Sequence, residues 1–93
     1  MKFDYKKAEN CFANAENYEY RIAILGAEFV LFLEELDVVL RINKGLRRPT
    51  FLGIFNSGVQ VKGLLERCVI KVGFVPGHAR EQKDAFDQWL EGL

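Results

Sequence analysis

The chain has little with which to do covalent or metal chemistry. It carries one serine, Ser57, one threonine, Thr50, and one histidine, His78, in 93 residues. A thiol nucleophile and its base could be built only from Cys11 or Cys68 with His78, and no local motif joins them, so the sequence reads as non-enzymatic, with no catalytic residues. A zinc centre wants about four thiolate or imidazole ligands at short paired spacings, which leaves no metal site here. Neither a phosphate-binding loop nor a dinucleotide fingerprint is present, so no cofactor is expected. Glu34 and Glu35 are adjacent and would lie about 100° apart on a helix, too divergent to share a proton or a cation.

Long hydrophobic runs are missing as well. The most apolar stretch, Ile22 to Leu33, is interrupted by Glu28 and is too short to cross a bilayer, and Met1 to Ala8 lacks the charged-then-apolar order of a secretory signal. The expectation is a cytoplasmic protein with no membrane partner, in which both cysteines stay reduced. With two prolines, 49% hydrophobic and 28% charged residues, the composition is that of one globular domain over residues 1–93.

Charge is balanced overall but not locally. Residues 41–71 hold seven basic side chains, Arg41, Lys44, Arg47, Arg48, Lys62, Arg67 and Lys71, against the single acidic Glu66. Such a block fits an anionic partner, or it complements the acidic segments of the same or a neighbouring chain.

The strongest periodicity runs from about Asn17 to Lys44. Tyr18, Ile22, Leu25, Phe29, Phe32, Leu33, Leu36 and Leu40 recur at three- and four-residue intervals and predict one long helix closed by Gly45. A second stripe, Ile24, Leu31 and Val38, follows heptad spacing on the opposite side and predicts burial on two sides, hence a homo-oligomer seam. Asp4 fits the cap of a short preceding helix containing Tyr5, Ala8, Phe12 and Ala15. Ser57 with Gln60 three residues on reads as a capping box opening a helix through Val61, Leu64, Leu65, Cys68, Val69 and Val72. The β-favouring Val69, Ile70, Val72 and Phe74 make a strand around 68–75 the competing reading. His78 to Glu91 is amphipathic and predicts a last helix. The fold expected is all-α, a small four-helix domain with a long central helix, the alternative being α+β with that one strand.

Two functions follow. The leading expectation is a small interaction module that binds an unknown protein partner and associates with itself through Ile24, Leu31 and Val38, because residues are spent on apolar faces rather than on chemistry. The alternative is a nucleotide or single-stranded nucleic-acid binder using the basic aromatic segment 41–62. There Arg47, Arg48, Phe51, Phe55 and Lys62 combine positive charge with aromatic faces.

The central segment carries a pattern of its own: Ala23, Gly26, Phe29, Leu33, then Glu35, Leu36 and Asp37 running acidic, apolar, acidic, then Leu40, Arg41 and Lys44. It resembles a pattern shared by small phage-encoded proteins of unassigned activity and covers about a quarter of the chain. The resemblance implies a phage or mobile-element origin and assigns no site residues; with it, the leading expectation becomes a modulator that binds a host protein.

Overall fold

The computed structural model describes residues 1–45 and 47–93. Strand β1 (Phe3–Ala8) and strand β2 (Glu16–Ile22) form a hairpin, followed by helix α1 (Gly26–Glu34). The meander β3 (Val38–Asn43), β4 (Thr50–Phe55), β5 (Gln60–Leu64) and β6 (Val69–Phe74) comes next, and helix α2 (Ala79–Glu91) closes the chain. All neighbouring strands are antiparallel, in the order β1-β2-β6-β5-β4-β3. The all-α four-helix expectation is therefore overturned: the protein is mainly β, with two helices on one face of a single sheet.

The reason lies in a spacing that two structures share. Tyr18 and Ile22, like Leu36 and Leu40, are four residues apart, and a step of four returns both a helix and a strand to the face it started from. Tyr20 between the first pair breaks the tie. It is fully buried, as is its lateral partner Ile70, so Tyr18, Tyr20 and Ile22 follow the strand period. The stretch read as one helix over 17–44 is strand, helix, strand, and only Gly26–Glu34 is helical.

Two other helix expectations fail for local reasons. Asp4 is a strand residue paired with Arg21, not a cap. Ser57 sits in the β4–β5 hairpin, where Phe55 donates to Val59, Gly58 donates back to Phe55, and Gly58 has φ of +91°. That is a three-residue loop closed by a left-handed glycine, the chemistry Asn-Ser-Gly supplies. The C-terminal amphipathic stretch is a helix, α2.

The core lies between the helices and the inner face of the sheet. Tyr20, Phe29, Leu33, Val61, Ile70, Val72, Phe74 and Leu90 are fully buried. Phe29 on α1 meets Phe51 on β4 and Trp89 on α2, with centroids 6.0 and 5.7 Å apart, so both helices share one layer. Gly26 is required where α1 starts: a Cβ there would lie 2.3 Å from the Leu64 carbonyl oxygen. No helix of the described residues is long and apolar enough to cross a membrane.

Candidate functional site: the open face of the sheet

Alternation along each strand sends every second side chain to the face without helices. Registers across the sheet line these side chains into lateral rows. The middle row reads Lys6, Glu19, Lys71, Lys62, Leu52, Arg41 from β1 to β3. On one side of it lie Asp4, Arg21 and Val69, with Leu64, Thr50 and Asn43 continuing toward β3. On the other lie Ala8, Asn17, Gly73, Gln60, Ile54 and Val39.

Lys71 and Lys62 are direct neighbours in that row. Like charges opposed across two strands oppose folding, so their juxtaposition calls for compensation. Lys71 bonds to Glu19, which Lys6 also reaches at 3.4 Å. The Lys71 ammonium, with help from Lys6, holds the Glu19 carboxyl below the usual carboxylate range against the opposing effect of burial. Lys62 donates to the Cys11 carbonyl and lies 4.6 Å from the centre of the Phe12 ring.

Those interactions come from the β1–β2 loop, which folds over one side of the face. Buried Asn17 holds it there: its side-chain oxygen accepts from the Phe12 N–H at 3.2 Å, and its amide nitrogen donates to the Phe12 and Ala15 carbonyls at 3.1 and 3.4 Å. Phe12 rests on Gly73, where a Cβ would come within 2.7 Å of the ring. The loop turns through Asn10 and Asn14 at φ of 61° and 53°, a conformation asparagine tolerates.

Beyond this wall the face is open. A shallow groove of about 420 Å³ has Leu52, Leu64 and Val69 on its apolar floor and Lys62, Lys71 and Arg67 at its rim, with no carboxylate in its lining. Arg67 comes from the β5–β6 turn. Pro49 of the β3–β4 loop accepts from the Leu65 N–H at 3.0 Å, which sets Arg47 and Arg48, both exposed, at the same end of the sheet. The basic block of the sequence thus converges on one face and one end of the fold. Leu46, in that loop, is outside the described residues.

The expected site residues divide. Lys62 is on the open face, and Arg47 and Arg48 are at its end. Phe55 is not part of it, and Phe51 borders the groove without presenting its ring there. Both rings point to the helix side, Phe51 buried against Phe29 and Phe55 packed on Phe86 and Trp89. The stretch 50–55 is a strand, so its aromatics and the cations of neighbouring strands end on opposite faces. The proposed seam also divides: Ile24 packs against the core ahead of α1, Leu31 is 60% exposed on the outer side of α1, and Val38 begins β3 on the helix side. The single helical stripe they were assigned to does not exist. Arg41, Arg67 and Lys71 were visible only as members of the basic block. The alternation around Lys71, flanked by buried Ile70 and Val72, and around Lys62, preceded by buried Val61, is the signal that would have put them on one face.

Helix ends contribute nothing here. The first amides of α1 are committed, Gly26 to the Arg67 carbonyl at 2.7 Å and Ala27 to the Leu65 carbonyl at 3.0 Å. Among the described residues no cluster of His, Cys, Asp and Glu is arranged to hold a metal, and the thiols of Cys11 and Cys68 are unpaired.

Comparison of the chain with protein-family models, with curated proteins and with solved structures returns no match. What the open face can do follows from its own geometry. It offers separated cations around an apolar floor, on a surface open to solvent.

Proposed function

We propose that the open face binds single-stranded nucleic acid, chiefly through its phosphates. The observation that carries this reading is the set Lys62, Lys71 and Arg67 around a groove whose lining holds no carboxylate, Lys71 being paired with Glu19 beside it, continued by Arg41 along the middle row and by Arg21 next to that row. From β2 to β3 the sheet steps through four strand spacings, about 19 Å. That is a track for several phosphates rather than a pocket for one nucleotide. Phe51 and Phe55 are turned inward, so base stacking contributes less than in aromatic platforms, and Leu52, Leu64 and Val69 supply sequence-tolerant apolar contact.

Fluorescence anisotropy of a labelled oligonucleotide, titrated at several salt concentrations, tests this. Four neutralised phosphates give a log–log salt slope of about −3 for a single strand. Lys62→Glu and Arg67→Glu should each weaken binding across all sequences and flatten the slope. Absence of binding at low salt, or a slope unchanged by both variants, overturns the proposal.

A further inference from the structure

The two edges of the sheet are built differently. The β1 edge carries Lys6 and Lys7, with Lys2 just before it, the usual protection against another strand. The β3 strand itself carries one charge, Arg41, with Asp37 just before it and Lys44 just after, while Val39 on the open face is 59% exposed and Ile42 on the helix face 41% exposed.

Main-chain directions at this edge follow from one hydrogen bond. Phe55 donates to Val59, so Phe55 faces β5, and by alternation Ile54, Leu52 and Thr50 face β3. Their partners Val39, Arg41 and Asn43 therefore bond inward and the main-chain groups of Val38, Leu40 and Ile42 point away from the sheet. Val38 spends its N–H on the Leu36 carbonyl. Among the described residues nothing outside the β4 ladder bonds to Leu40 or Ile42.

We infer that this edge pairs with β3 of a second copy, antiparallel, with Leu40 opposite Leu40 of that copy. Outward-facing residues can bond only to outward-facing residues, which restricts the register to one that keeps Val38, Leu40 and Ile42 matched among themselves. Centring on Leu40 sets Val38 against Ile42 of the second copy, apolar against apolar, and Val39 against Arg41. Centring one residue later sets Arg41 against its own copy at the closest cross-strand spacing, which like charges disfavour. Moving further shortens the overlap. In the Leu40-centred arrangement the two-fold axis is perpendicular to the sheet, the helices of both copies lie on one side, and the basic faces become one continuous surface. Association needs no nucleic acid, so its failure would leave the binding proposal standing, and the reverse holds too.

Sedimentation equilibrium of the nucleic-acid-free protein tests the pairing. The wild type should approach twice 10.7 kDa as concentration rises. Ile42→Pro, which removes an outward donor from an edge strand together with the side chain set against Val38 of the second copy, should return it to the monomer mass with the circular dichroism spectrum retained. Val39→Glu, facing Arg41 of the second copy, should tighten association by roughly tenfold, and Val39→Lys should weaken it by a similar factor. A wild type that remains at 10.7 kDa at every concentration overturns the inference. Val39 variants of opposite charge that shift association equally overturn the register.

Discussion

Glu19 sits between Lys6 and Lys71 in the middle row of the open face, and it neutralises there the cation that phosphate binding needs. Glu19→Gln should therefore bind the oligonucleotide more tightly and steepen its salt slope by about 0.7 for each additional phosphate neutralised. The same carboxylate links stability to pH. Its pKa in the fold is below the ordinary value of 4.5, so its contribution is complete above that value and is lost as pH falls through the lower folded one. Urea unfolding as a function of pH should show wild type losing, across the acid range, stability that Glu19→Gln does not lose. The effect is up to about 1 kcal/mol, because Lys71 is partly exposed to solvent. Tyr20 is of a different kind. Burial, with its 2.5 Å hydrogen bond to Asp87, pushes the phenol far up, and Asp87 also takes Lys83, whose ammonium lies 3.2 Å from the Tyr5 ring centre. This cluster ties β1 and β2 to α2.

At the scale of elements, α1 is the clearest test, because its two faces make opposite claims. Phe29 is fully buried between Phe51 and Trp89, whereas Leu31 is mostly exposed. Phe29→Ala should cost about 3–5 kcal/mol in chemical denaturation, and Leu31→Ala about 0.5 kcal/mol or less. Equal costs would restore the two-sided burial that the heptad spacing suggested. The start of α1 is tighter still. Gly26→Ala forces a methyl into the Leu64 carbonyl, a backbone atom with no rotamer to change. A loss of about 3 kcal/mol is expected, lowering the melting temperature by about 10 °C or more. Gly73→Ala meets a side chain instead, the Phe12 ring. Its cost should be smaller, and displacement of the β1–β2 loop should show in anisotropy as altered oligonucleotide affinity, because that loop holds Lys62.

At the scale of the whole molecule, the sheet closes by pairing β2 with β6, bringing Glu16 opposite Phe74. Such distant pairing predicts folding in milliseconds to seconds by stopped-flow fluorescence of Trp89, not the microseconds of a helical bundle. Part of this architecture is legible in the chain. The shortage of Ser, Thr, His and Cys, the basic block 41–71, the amphipathic 78–91 stretch and the β-favouring residues near 70 are local facts of composition or period. The residues around 17–44 are not decided locally, because a four-residue spacing satisfies helix and strand alike, and hydrogen bonding to distant strands chose between them. The open face was hidden for a related reason. Neighbours in a strand point to opposite sides, so Phe51 and Leu52, adjacent in sequence, belong to the core and to the groove. The sequence by itself determined that positive charge is concentrated between Arg41 and Lys71. Only the tertiary structure decided that Arg41, Lys62 and Lys71 stand in one row, because a row runs across strands and the helices covered the other face of the sheet.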